Sequence, residues 1–219
     1  MAGGTRKVNM VEYKQYDSSY EAETLKVFIE SFVHYPLFWG VFEDLFKSEI
    51  KLRSFHAQLM KGLFKATIRK DDCYIGVADG KVRTVVIVEK PSDKPISFWD
   101  YAVSGMPGVI AKIGLANTLK YLELSDKTEI VVKSIPEKRW HLYFLAVDPN
   151  YQSQGIGTGA IQNFLIPLVR SNGGNLITVT TNDEKNVDFY FHNGFSLVKE
   201  ETLEYNAKSI GNWSFRMDL

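Results

Sequence analysis

A single cysteine, Cys73, has no second thiol with which to close an internal disulfide, and in a predicted strand it reads as a core residue. Histidines are few: His34, His56 and His192 have no cysteine or acidic partner at ligand spacing, so no metal is expected. Long apolar runs are missing too, each being broken by a charge, a proline or a glycine before it could span a bilayer, and no membrane partner is expected. An excess of either charge is lacking. The 26 basic and 26 acidic side chains cancel, which gives no reason to expect nucleic acid as a partner. The opening residues M-A-G-G-T-R-K lack the apolar centre of a signal peptide, and with the lone cysteine this points to a cytoplasmic address. No repeat, low-complexity tract or interdomain linker is visible. What is present is a chain of 219 residues, 45% hydrophobic, long enough to bury a large core. It reads as a flexible start over 1–7 and one domain over 8–219.

The patterning alternates between helix and strand. Val8 to Tyr16 carries enough β-branched and aromatic residues for a first strand. Ser18 followed by Glu21 has the form of a capping box, and Ala22, Leu25, Ile29 and Phe32 recur at helical spacing up to a stop before Pro36. A second helical region is expected from Trp39 to Ala66, with Leu52, Phe55, Leu59 and Leu63 on one face. Cys73 to Ala78 and Val82 to Glu89 form a hairpin around Asp79-Gly80. Between Pro91 and Arg139 the pattern weakens; Val109 to Leu122 reads as helix, and Glu129 to Ile135 leans the same way. Leu176 to Thr181 reads as a strand and Glu184 to His192 as a short helix ended by Gly194, followed by strands over Phe195 to Tyr205 and Asn212 to Asp218.

The most informative stretch is Trp140 to Gly159, W-H-L-Y-F-L-A-V-D-P-N-Y-Q-S-Q-G-I-G-T-G: an apolar strand, a polar loop, and a glycine pair opening a helix that Pro167 should kink in its last turn. Such a loop can hold a phosphate. A Walker-type site fails, because no Lys-Ser/Thr follows the glycines. A dinucleotide-type site is closer, since Gly155, Gly157 and Ala160 satisfy G-x-G-x-x-G/A and Asp183 stands beyond the next strand. Its glycines, however, turn directly after the strand, whereas here Asp148 to Gln154 intervene.

The loop as it stands resembles motif A of the GCN5-related N-acetyltransferases, Q/R-x-x-G-x-G/A after an apolar strand, with Gln152, Gly155 and Gly157 in the fixed positions. Downstream, N-V-D-F-Y-F-H-N-G-F is similar to motif B of the same family, N-x-x-x-Y-x-x-x-G-F, with Asn186, Tyr190, Gly194 and Phe195 in register. Trp140 before the strand and the long N-terminal helical half look most like the small-molecule branch that includes puromycin-type enzymes. The resemblance is specific over Trp140 to Leu203 and elsewhere is one of element order.

That resemblance implies an α/β fold with a mixed, mostly antiparallel sheet flanked by helices, splayed between the Leu142–Val147 and Leu176–Thr181 strands. It implies acetyl-CoA as co-substrate, with Leu145, Ala146, Val147 and Asn186 along the pantetheine arm and Gln152, Ser153, Gln154, Gly155, Ile156, Gly157 and Thr158 around the pyrophosphate. Acetyl transfer to a primary amine, expected to be that of a small molecule, needs a neutral amine, an oxyanion donor and a proton for the departing thiolate. Tyr190 matches the motif B tyrosine that supplies this proton. A backbone N–H near Leu145 is the expected oxyanion donor. His141 takes the strand position where family members place a Glu or His base, with Tyr143 on the same face and Glu89 in reserve. The aromatic group Phe32 to Trp39 reads either as core or as a wall of the acceptor pocket, and Phe98, Trp99, Tyr101 and Met106 are candidates to cover that pocket. The alternative is a non-catalytic acyl-CoA-binding or sensor domain, which would not require Tyr190 or a base. A monomer or homodimer is expected.

Overall fold

The computed structural model describes residues 10–92 and 94–219. The expected start of the first strand at Val8 and Asn9, and the stretch 1–7, lie outside the described residues. The strands are β1 (Glu12–Gln15), β2 (Asp72–Ala78), β3 (Lys81–Glu89), β4 (Trp140–Val147), β5 (Leu176–Thr181), β6 (Ser196–Tyr205) and β7 (Lys208–Asp218). They form one sheet in the order β1-β2-β3-β4-β5-β7-β6. Every neighbouring pair is antiparallel except β4 and β5.

The first half supplies a helical cover. Helix α1 (Glu21–Ser31) is preceded by a single 3₁₀ turn whose cap is Asp17, accepting from the Ser19 N–H at 2.8 Å; Asp17, not Ser18, starts the segment. The aromatic stretch then makes a wide turn at Pro36–Gly40, entered through His34 at φ +66°, so helix α2 does not begin until Glu49 and runs to Thr67. The sequence reads as helix from Trp39 because its apolar residues are dense, but Gly40 and the short 3₁₀ turn at Glu43–Leu45 interrupt the ladder. Phe28, Phe55 and Phe64 are fully buried in the core beneath these helices, with the Phe28 ring 5.4 Å from Phe64 and 4.9 Å from Phe144 of β4.

The hairpin turns through Asp79 and Gly80, both at positive φ, as a tight turn of matching twist requires. The weakly patterned middle is helical: α3 (Phe98–Val103), α4 (Met106–Ile113) and α5 (Leu115–Lys133). Gly114, at φ +79°, separates the last two where the sequence suggests one helix over 109–122, and α5 extends through Glu129. After β4 come α6 (Ile156–Gly159), a wide π-turn at Ala160–Leu165, and α7 (Ile166–Ser171). Pro167 has no N–H for the Asn163 carbonyl and its ring crowds it, so the helix widens in the turn before the proline instead of kinking in its last turn. Helix α8 (Val187–His192) ends on Gly194 at φ +90°. Strand β7 begins at Lys208, four residues earlier than its apolar pattern suggests, because Asn206 and Ala207 both take positive φ and close a two-residue hairpin with β6. A second core of Val86, Leu142, Ile161, Val169, Val179, Tyr190 and Phe215 joins the sheet to the π-turn, α7 and α8.

Candidate active site

Two irregularities in β4 shape the site. Its pairing with β5 covers only Trp140, His141 and Leu142, although β5 runs on to Thr181. The two parallel strands therefore part after Leu142. On the other side, Val88 pairs with Leu142 and Ile87 with Phe144, so Tyr143 is an extra residue opposite β3, a bulge that bends β4 away from β5.

A cavity of about 180 Å³ opens at this gap. Leu142 to Leu145 of β4 and Val179 to Thr181 of β5 line it, with Asn182, Asn186 and Tyr190 beyond. Phe32, Tyr35, Leu37 and Phe38 form one wall, so the aromatic stretch serves as core and as pocket wall together. Tyr35 secures that wall: its hydroxyl accepts from the Asn182 N–H at 2.7 Å and lies 3.3 Å from the Thr181 hydroxyl. Phe98, Tyr101 and Met106 line the opposite side, whereas Trp99 is 73% exposed and takes no part.

The strand position assigned to the base is inside the protein. His141 is 3% exposed and is not among the lining residues. Its Nδ1 lies 2.9 Å from the Thr178 hydroxyl, which itself donates to the Trp140 carbonyl at 3.4 Å, so Nδ1 carries the proton. Nε2 is left as an acceptor 3.3 Å from Oε2 of Glu129, and Glu129 does line the cavity. Burial lowers the imidazole to about 4, against the opposing charge of Glu89 across the ladder. Burial lifts the Glu129 carboxyl to about 7, against Lys133 and Arg139. Between about pH 4 and about pH 7 the pair holds one titratable proton, on Glu129. Glu89 faces His141 in the β3–β4 register but does not reach the cavity lining.

Sequence reasoning missed Glu129. A glutamate in an exposed-looking helix is ordinary, and only the packing of α5 across β5 and β7 turns this one inward. Tyr190 is also buried, its ring 5.5 Å from both Phe195 and Phe215, and burial raises its phenol so that it stays protonated at neutral pH. Its neighbour Asn186 donates to the Thr181 hydroxyl at 3.1 Å.

The glycine loop stands at the far end of β4. Asp148 accepts from the Asn150 N–H at 3.0 Å, Ser153 (φ +59°) and Gly155 (φ +80°) reverse the chain, and the first-turn N–H groups of the helix starting at Ile156 have no intrahelical acceptor. Gln152 braces the loop by donating from Nε2 to the Val147 carbonyl at 3.2 Å, an oxygen that also accepts from Ser31 at 2.8 Å. Gly157 answers to packing: a Cβ there would lie 3.2 Å from the Phe189 ring, so the two motifs touch at this residue. Around Gly155 a Cβ would meet nothing within 4 Å. Donors without acceptors beside open space fit a pyrophosphate, and the unpaired stretch of β4 beyond Leu142 fits an extended amide-bearing arm. Of the expected site residues, Leu145, Asn186 and Tyr190 meet in the cavity, His141 stands one residue behind it, and Gln152 to Thr158 lie apart along the strand.

A sheet parted between two parallel strands, with a phosphate-type loop closing one and a tyrosine-bearing helix following the other, defines an acyl-CoA N-acyltransferase fold. Residues 109–195 match the sequence model of the acetyltransferase (GNAT) family. No curated protein matches the chain. Among solved structures, a mutant agmatine N-acetyltransferase in its apo form is similar with a TM-score of 0.62 at 14% identity, over 96% of this chain and 100% of that one. A polyamine N-acetyltransferase of Drosophila melanogaster gives 0.58 at 14% identity, with the same coverage of 96% and 100%. A Bacillus subtilis acetyltransferase in complex with CoA gives 0.51 at 10% identity over 96% and 99%. At these identities the likeness is one of fold. In sequence the match to that family covers residues 109–195, and in fold the likeness to solved acetyltransferases runs over nearly the whole chain.

Proposed function

We propose that the protein transfers the acetyl group of acetyl-CoA to a primary amine of a small molecule, by direct attack in a ternary complex. The observation that carries this reading is the cavity at the β4–β5 gap, lined by both Tyr190 and Glu129 beside the strand that ends in the glycine loop. An extended protein tail would need an open groove, and this cavity is walled on both sides.

In this reading the N–H groups from Ser153 to Thr158 hold the pyrophosphate, Leu145 to Val147 and Asn186 hold the pantetheine arm, and the thioester is thereby delivered to the cavity as the acyl donor. Two features support it: the unpaired edge of β4 beyond Leu142 and the left-handed turn at Gly155. Tyr190 supplies a proton to the departing thiolate, for which a phenol kept neutral by burial is suited. The amine proton leaves towards Glu129 and His141. His141 acts as base through Glu129, because the carboxyl stands between the imidazole and the cavity. The agmatine and polyamine N-acetyltransferase neighbours are named for small amines, which agrees with a small acceptor.

The test is thiol release from acetyl-CoA across a panel of small amines, with peptides carrying a free amine as controls. Amine-dependent release with small amines and not with the peptides is expected. Acetyl-CoA binding without release for any amine would favour a non-catalytic acyl-CoA sensor.

A further inference from the structure

We infer that the acceptor is an amine with one positive charge on an aromatic or otherwise apolar body, its ammonium seated on Glu129. The inference takes from the acetyltransferase reading only the use to which the bound amine is put.

Among the described residues, Glu129 is the single acidic or basic side chain lining the cavity, with no Asp, Lys, Arg or His beside it. Its side chain is 17% exposed, and Oε2 is turned to His141, which leaves Oε1 for a ligand. Nine of the other lining residues are aromatic and eight are aliphatic; the rest are hydroxyls and amides, all neutral. The wall therefore holds one acid at one place, and an ammonium binds it as the carboxylate, the proton that Glu129 carries in the empty cavity being released on binding. An ammonium on Glu129 keeps an ionic partner after leaving water, while a second cation on the same molecule would lie against side chains such as Leu63, Ile110 and Tyr121 with none. The aromatic faces attract a cation, but less strongly than water and a carboxylate do. The apolar character continues to the mouth, where Phe98 and Leu122, 75% and 44% exposed, both line the cavity and face solvent. A hydrophobic body attached to one amine matches this surface along its length, and a chain of spaced amines does not.

The experiment compares 2-phenylethylamine with agmatine and spermidine, by calorimetric binding to the CoA-loaded protein and by thiol release with acetyl-CoA. Phenylethylamine is expected to bind at least tenfold more tightly than either polycation; equal or tighter binding of agmatine or spermidine overturns the inference. Release with spermidine in preference would leave the acetyltransferase reading standing and this inference fallen. Preferential binding of phenylethylamine with no release for any amine would do the reverse. Glu129→Gln should weaken phenylethylamine binding at least tenfold and leave CoA binding unchanged. Phe98→Asp places a second carboxylate at the rim, on the first turn of α3 where an acid is well tolerated, and should improve agmatine binding at least threefold relative to phenylethylamine. No relative gain for agmatine in that variant would count against a cavity limited by its single charge.

Discussion

Tyr190 and Glu129 face the same cavity, and burial acts on both in the same direction, disfavouring the anion of each. That leaves a phenol able to donate and a carboxyl that keeps its proton up to about 7. Tyr190→Phe removes only the hydroxyl and keeps the ring contacts with Phe195 and Phe215, so the fold should be preserved. Turnover should fall roughly 100-fold, the scale of a positioned general acid, with acetyl-CoA affinity within about twofold of native. Steady-state kinetics beside calorimetric acetyl-CoA binding separates the two effects, and an unaltered kcat would remove Tyr190 from the acid role. Tyr190 stood out in the sequence because Asn186, Gly194 and Phe195 fix its register. Glu129 did not, because a glutamate between Thr128 and Ile130 on a helix carries no local mark of the surface it will face. The same limit applied to His141: its strand position could be read, but its separation from the cavity by Glu129 could not.

At the level of the element, the glycine loop was legible because everything it needs is local: a strand end, a turn at positive φ, and a helix start within twenty residues. The cavity wall was not, since it draws on α3, α4 and α5, whose glycines and prolines blur the helical period, and on an aromatic turn whose Tyr35 lies 146 residues from Thr181 of β5 in no fixed spacing. Pairing also escaped the sequence, since the bulge at Tyr143 and the parting of β4 from β5 arise from the register between strands. The two glycines make separable predictions. Gly155→Val meets no neighbour but must hold φ near +80°, costing about 1–3 kcal/mol of stability. Gly157→Val places its side chain against the Phe189 ring, 3.2 Å from where its Cβ would stand, at a cost of about 1–3 kcal/mol from overpacking. Both should weaken CoA at least tenfold in variants that chemical denaturation shows to be folded. Native CoA affinity in folded Gly155→Val would undo the phosphate-loop assignment.

At the scale of the whole molecule, the Glu129–His141 pair couples folding to pH. Glu129 sits at about 7 in the folded protein against an ordinary 4.5, so its contribution to stability is full below 4.5 and is lost as pH rises through 7. His141 sits at about 4 against 6.5, so its contribution is full above 6.5 and is lost as pH falls through 4. Between about 4.5 and 6.5 the folded pair therefore holds one proton, on Glu129, and the unfolded pair also holds one, on the imidazole. The proton count does not change on unfolding, and the two slopes cancel. Glu129→Gln leaves only the histidine side of that balance, with the unfolded chain binding one proton more than the folded one. Its unfolding free energy should then climb with pH relative to the native protein by about 1.4 kcal/mol per unit across this window. Urea denaturation of both proteins at half-unit steps of pH measures the difference directly. A difference that stays constant with pH would mean that Glu129 ionises in the folded protein as it does in the unfolded chain, and the shared buried proton would have to be abandoned.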